Sequence, residues 1–275
     1  EASLTECKIA AIGTVTLDSG AAIKAAREDY DALPEEQQKD MVSNYSVLTD
    51  AETVYDVETV IKAIGTSKIF TSTKAKITKA RTAYDALTEA QQAQVVNYSA
   101  LVEAETIYDV VSQINTLSDG VLPESEGAVQ KVRMAYDALT KAQQERVSNF
   151  NALKNAEAAL PVSKLIAAIG EITPDSEEAV NEAYTAYMKL AYAEKRVVKN
   201  KDDVLDAHEI LPVVQAIDSI GDVTLESEQT INEARKSYNR LSTARKKKVS
   251  NYNVLTRAED VLKSLKNDRL EIQMD

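Results

Sequence analysis

Apolar residues along the chain fall at steps of three and four, the spacing that lines up one face of an α-helix. The clearest run is Ile77, Ala80, Tyr84 and Leu87. The same face recurs as Ile23/Ala26/Tyr30/Leu33, Val129/Val132/Tyr136/Leu139, Val180/Ala183/Tyr187/Leu190 and Ile231/Ala234/Tyr238/Leu241. Four residues ahead of each first member stands a hydroxyl (Ser19, Thr73, Ser125, Ser176, Ser227), preceded by Asp18, Ser72, Glu124, Asp175 or Glu226. Oxygens there suit free first-turn amides and the acids suit the positive end of the helix dipole, so these serines are expected as caps rather than nucleophiles. After Leu87 the pattern predicts a short helix, Thr88 to Val96, carrying the pair Gln91-Gln92. An Asn-Tyr step then turns the chain, with Asn as a cap or left-handed residue. A third stripe, Leu101, Ala104, Tyr108, Val111 and Ile114, marks a longer helix. Its tail runs into an apolar-Gly step seen as Ile12-Gly13, Ile64-Gly65, Ile169-Gly170 and Ile220-Gly221, where glycine ends the helix.

This three-helix pattern repeats five times. The anchors are Tyr30-Asp-Ala-Leu33, Tyr84-Asp-Ala-Leu87, Tyr136-Asp-Ala-Leu139, Tyr187-Met-Lys-Leu190 and Tyr238-Asn-Arg-Leu241, with Tyr-to-Tyr steps of 54, 52, 51 and 51. An Asn follows at Asn44, Asn97, Asn149, Asn200 and Asn251, and a second ring follows it at Tyr45, Tyr98, Phe150 and Tyr252, with Lys201 in the fourth copy. Self-similarity at a fixed period is the mark of a repeat architecture. The expected fold is all-α: a tandem array of five small three-helix bundles, spectrin-like, joined end to end through shared or proline-kinked helices. The repeats run 1–56, 57–109, 110–160, 161–211 and 212–275, the last with a C-terminal tail. One long helix should close one repeat and open the next. It runs uninterrupted through Tyr55-Asp56 and Tyr108-Asp109, whereas Leu160-Pro161 and Leu211-Pro212 are expected to kink or break it. A helix of some 20 residues spans about 30 Å, so five units end to end predict a rod on the order of 100 Å.

Composition agrees with a helical chain. Among 275 residues there are only 7 Gly and 5 Pro, with 44% hydrophobic residues. Trp is absent and Tyr numbers 12, a ring that thin bundles can bury while its hydroxyl stays at the edge. The net charge of −12 argues against a nucleic-acid partner. It is uneven: residues 213–275 hold 11 basic and 10 acidic groups, the rest 21 and 34. The single cysteine, Cys7, excludes an internal disulfide, and no stretch approaches the length of an apolar membrane span, so no membrane insertion is expected. The chain starts on Glu1 with no signal peptide and reads as a segment of something longer.

The run Ala11-Ile12-Gly13-Thr14-Val15-Thr16-Leu17-Asp18-Ser19, then Ala-Arg-x-x-Tyr-Asp-Ala-Leu, then Gln-Gln-x-x-Val-x-Asn-Tyr-x-x-Leu, resembles the helical tandem repeats of large secreted and cell-wall proteins of Gram-positive bacteria, mostly gut Firmicutes. The resemblance covers nearly all of residues 8–265 and is loosest in repeats four and five. It implies a spacer beside S-layer-homology, Ig-like, sugar-binding or glycosidase domains, an extracellular, secreted or cell-surface location, and no catalytic residues.

Candidate chemistry is sparse. The lone His208 stands where the other repeats carry Glu52, Glu105, Glu157 and Glu259, so it is expected on a solvated flank. One His and one Cys leave little for a zinc site or a Ser-His-Asp set, so neither a catalytic residue, a cofactor nor a metal is expected. Carboxylate pairs such as Glu35-Glu36, Glu177-Glu178 and Asp202-Asp203 read as solvated faces. The Gln pairs suit either sugar hydrogen bonds or plain helix polarity. An Arg three residues before the anchor (Arg27, Arg81, Arg133, Arg235; Tyr184 in repeat four) is expected with its stem packed and its head wet. The best candidate for partner binding is the basic set Arg235, Lys236, Arg240, Arg245, Lys246, Lys247 and Lys248, which would suit a cell-wall polymer, an anionic glycan, a host protein or an acidic neighbouring repeat. The alternative is a charged face balancing Glu226, Glu228 and Glu233.

Three functions compete. A non-catalytic stalk presents or separates other domains of the same protein; an adhesive array binds host protein or glycan; an intracellular helical scaffold stacks as a solenoid. A binder would show one repeat with an exposed aromatic or basic patch that its siblings lack.

Overall fold

The computed structural model describes residues 1–274, and these are helical, with no strand among them. In chain order the α-helices are α1 (Ala2–Ala11), α2 (Gly20–Ala32), α3 (Glu35–Met41), α4 (Tyr45–Lys62), α5 (Lys74–Asp85), α6 (Glu89–Gln92), α7 (Tyr98–Asn115), α8 (Glu126–Asp137), α9 (Lys141–Arg146), α10 (Phe150–Ala168), α11 (Glu177–Lys189), α12 (Tyr192–Val197), α13 (Lys201–Asp218), α14 (Glu228–Arg240), α15 (Thr243–Lys246) and α16 (Tyr252–Met274). The all-α class follows from the pattern of apolar positions, because the stripes read from sequence are the ones that become buried. The chain divides into two compact units, residues 1–115 with 132–150, and residues 116–131 with 151–275.

In the first unit α4 works on both sides. It packs against α1 and α2, and also against α5, α6 and α7. Its Leu48, Ala51, Val54, Val57 and Ile61 are buried along the whole length. A helix gripped from two sides needs a wide apolar stripe. The same holds for α7, where Ile107 and Val110 join Leu101, Ala104, Val111 and Ile114 in the core. Tyr108, expected in that face, is only half-buried for this reason. Of the first unit's anchor tyrosines, Tyr30 and Tyr136 are buried and Tyr84 is half-buried. The loop after α4 closes at Gly65, whose φ of +86° suits glycine and whose N–H donates to Lys62 O at 3.0 Å. Beyond it, Ile69 forms an isolated parallel bridge with Val147, its N–H reaching Arg146 O at 2.7 Å.

The second unit repeats the device. Val121 bridges Val198, donating to Val197 O at 2.7 Å and accepting from Lys199 N–H at 3.2 Å. Gly120 allows that approach: a Cβ there would lie 2.9 Å from Val197 O. These loop-to-helix stitches are absent from the periodicity, because each joins single residues far apart in sequence. Helix α13 packs against α11, α14, α15 and α16, and a continuous core runs through Val180, Ile210, Val214, Ile217, Ile231 and Leu255.

Of the kink or break expected at the prolines, the break does not occur. Pro161 lies inside α10 and Pro212 inside α13, and both helices continue through them. Proline removes one amide donor and crowds the preceding turn. Here Leu160, Val162, Leu211 and Val213 on either side are buried, and their packing holds the helix in register.

The serine caps also differ from expectation. The hydroxyls do not bond the first-turn amides of the middle helix. Each reaches back three residues: Thr16 N–H to Ser19 Oγ at 3.0 Å, Phe70 to Thr73 at 3.1 Å, Leu122 to Ser125 at 3.0 Å, Thr173 to Ser176 at 2.9 Å and Thr224 to Ser227 at 3.0 Å. In repeats two to five this closes a single 3-10 turn that leads into the α-helix.

Candidate functional site

The most elaborate side-chain arrangement is a recurring lock between the middle helix and the long helix that follows it. In the first unit Tyr30 stacks on Tyr45, Tyr84 on Tyr98 and Tyr136 on Phe150, with ring centroids 4.2, 4.1 and 4.2 Å apart. In the second unit Tyr238 stacks on Tyr252 at 4.4 Å. The Arg one turn before each anchor lies over both rings, as Arg81 does at 5.5 and 5.4 Å. Its planar fork then grips a carboxylate on the long helix. Arg27 donates to Glu52 at 2.7 and 2.6 Å, Arg81 to Glu105 at 2.7 and 2.6 Å, and Arg235 to Glu259 at 2.6 and 2.5 Å. The remaining Nη1 reaches the Tyr45, Tyr98 or Tyr252 hydroxyl at 3.2 to 3.4 Å. The carboxylate hydrogen bonds raise each of these arginines well above its ordinary pKa, against the opposing effect of burial. The expected wet head is therefore an ion-paired one. Stem packing was readable from the Tyr spacing, whereas the Glu partner lies 24 or 25 residues away on another helix.

Repeat four exchanges both halves of this pair at once. Tyr184 takes the Arg position, His208 takes the Glu position, and their rings stack at 3.7 Å with 13° between planes. His208 is exposed, as its position implied, but it is half of a ring pair. The second aromatic is replaced by Lys201, and a cation is supplied instead by Lys195, 5.5 Å over the Tyr187 ring.

A second lock uses the conserved spacing of the Asn residues. None adopts a left-handed conformation; Asn44 and Asn200 stand at the N-cap of the long helix, though their side chains make no capping bond. Each instead donates its side-chain amide to a carbonyl of the preceding long helix. The pairs are Asn44 to Glu6 at 3.0 Å, then Asn97 to Glu58, Asn149 to Val111, Asn200 to Ser163 and Asn251 to Val214, each at 2.9 Å. The Gln pairs divide their work. Gln91 and Gln143 form capping boxes with Thr88 and Thr140. Gln38, Gln92 and Gln144 cap the last carbonyls of the middle helix, at Leu33, Leu87 and Leu139. Amides engaged in this way are not free to grip a sugar.

The basic set of repeat five is largely engaged as well. Arg235 belongs to the lock. Arg245 grips Asp206 at 2.8 Å and Glu209 at 2.5 Å, Lys248 holds Asp206 at 2.8 Å, and Lys246 lies 5.6 Å over the Tyr238 ring. Burial alone would push Asp206 up, but the hydrogen bonds and charges of Lys248 and Arg245 hold it below the usual carboxylate range. Lys236, Arg240 and Lys247 are exposed. Four of the seven residues thus tie helices together. A cleft of about 330 Å³ beside this pairing is lined by Ile166, Gly170, Asp203, Asp206 and Lys248.

A feature missed in the sequence lies in repeat four. Tyr192 is 79% exposed and Met188 50%. Aligning the repeats would have exposed both, since siblings carry Glu35, Glu89, Lys141 and Thr243 at the first position and Asp31, Asp85, Asp137 and Asn239 at the second. No family model, curated protein or solved structure matches the chain. Among the described residues no helix is long and apolar enough to cross a membrane.

Proposed function

We propose that the chain is a non-catalytic spacer, an array of five small three-helix bundles that separates or presents other domains of a larger bacterial cell-surface protein. The observation that carries this reading is the Asn-to-carbonyl lock, which recurs five times at one register and joins each turn to the long helix before it. Groups of this kind fix the path of a chain. They do not converge on a reacting atom, as the partners of an enzymatic site must. The Gram-positive surface repeats that the sequence resembles fit the same role, as does an extracellular location.

The test is modular. Deleting residues 57–109 removes one whole period, from one Tyr-Asp step to the next. Small-angle scattering of the full chain should give the pair-distance curve of an elongated particle, and the deletion should shorten it by roughly one fifth while the far-ultraviolet spectrum stays helical. A compact particle, or a deletion that unfolds the remainder, refutes the spacer and favours an intracellular solenoid. An adhesive array is the second reading, favoured by the exposed Tyr192 and Met188 of repeat four.

A further inference from the structure

Repeat four sets a large exposed ring and an exposed methionine beside cations; the matching segment of repeat five is as basic but carries Thr243 and Asn239 at those two positions. Residues 189–201 hold five basic groups and one acid in a chain whose net charge is −12. The acid, Glu194, bonds the Ala191 N–H at 2.7 Å, and Lys195 is turned inward onto Met188 O at 3.0 Å. That leaves Lys189, Arg196 and Lys199 exposed around Met188 and Tyr192. Tyr, Met and Arg are the side chains enriched at protein interfaces, and a large exposed ring beside cations suits an acidic polypeptide.

An acidic surface of matching build exists in the same chain. Repeat one holds twelve acidic and four basic residues. Its short helix α3 is the element equivalent to α12. There Glu36 and Asp40 are exposed, and Met41 is 58% exposed. The equivalent short helices of repeats one and four are thus opposite in charge, each beside an exposed apolar side chain. We infer that the α12 surface of one molecule docks on the α3 surface of a second copy. Two copies each bearing −12 repel at long range, but at physiological salt that repulsion is screened beyond about 8 Å, and the local opposite charges decide the contact.

The inference is independent of the spacer reading, whose test measures length rather than association. Sedimentation velocity near physiological salt, at concentrations up to about 200 µM, reads it directly. The wild type should shift to faster species as concentration rises. R196E/K199E and E36K/D40K should each stay monomeric, because each sets like charges face to face. Mixing the two variants should restore association, because the reversed α12 now meets the reversed α3. All substitutions are at exposed positions, and Tyr192→Ala, which changes no charge, should also weaken association without changing the melting curve. A wild type that remains monomeric throughout, or a mixture that does not associate, overturns the inference. So does a wild type that binds dextran sulfate through Arg196 and Lys199 but never a second copy, which would make the surface a polyanion site.

Discussion

The lock of repeat two gives the sharpest quantitative test. Arg81→Ala removes several interactions at once, among them weak bonds from Nη1 to Tyr98 and Asp85 at 3.4 and 3.3 Å; three others dominate the cost. The forked ion pair with Glu105 spans 2.7 and 2.6 Å, with the two side chains 29% and 28% exposed. Exposed pairs contribute 0.2–1 kcal/mol and bonds to charged groups more, so a value of about 1 kcal/mol fits this half-shielded site. The cation over Tyr84 and Tyr98 adds about 0.5–1 kcal/mol. Loss of the packed stem adds a similar amount. The expected cost of Arg81→Ala is therefore about 2–3 kcal/mol, against about 1 kcal/mol for Glu105→Ala, with a coupling near 1 kcal/mol in the double-mutant cycle. A chain of two compact units is not expected to unfold as one two-state body, so the readout should be hydrogen exchange of amides around Arg81 and Glu105. A cost for Arg81→Ala under about 0.5 kcal/mol, or additivity of the two substitutions within about 0.3 kcal/mol, would show that the fork is a surface decoration.

Three further expectations follow from the same geometry. In repeat four, Tyr184→Arg with His208→Glu should install the sibling lock and leave exchange protection equal or higher, whereas His208→Glu alone should lower it by setting a carboxylate on the Tyr184 ring. Acid should loosen repeat five. The folded Asp206 titrates below its unfolded value, so its stabilising effect is present above the unfolded carboxylate pKa of about 4 and is lost as pH falls through the folded value. Protection of α15 should fall in that window, and Asp206→Asn should flatten the dependence. Finally, Pro161→Ala and Pro212→Ala should each raise thermal stability, by about 1–3 kcal/mol, because a helix that already continues through proline gains an amide donor. Both rings are exposed, so a loss of stability on either substitution would mean that the added freedom of the unfolded chain outweighs the regained donor.

The elements were legible because their signals are local. The step of three and four residues found the middle and long helices, and glycine found their ends, since both depend on neighbours within one turn. The locks were half legible for the same reason. Arg27 and Tyr30 share a helix face and were paired on spacing, but Glu52 enters from a helix 25 residues on. The hydroxyls of Ser125 and Ser176 lie in the expected neighbourhood but bond a different partner: periodicity locates a helix start, but cannot tell a 3-10 entry from a direct one. No break occurs at the prolines because burial acts there as well as propensity. Leu160 and Val162, buried on both sides of Pro161, outweigh one missing donor. The basic run of repeat five looked free because Asp206 and Glu209, which hold Arg245, belong to the previous repeat.

The same sharing determines what a repeat is. The two compact units divide inside the third repeat, with residues 116–131 in one and 132–150 in the other. Helix α4 belongs equally to the repeat before it and the repeat after it, through Glu52 to Arg27 on one side and Glu58, which accepts the Val96 N–H at 2.9 Å, on the other. Glu58 is fully buried, and its carbonyl receives Asn97. No cut through a long helix can therefore release one repeat without stripping its neighbour of buried apolar surface and of a lock partner. In repeat four both partners differ together, with Tyr184 and His208 stacked where the other repeats carry Arg and Glu. A lone change at either position leaves the opposite helix with an unpaired charge.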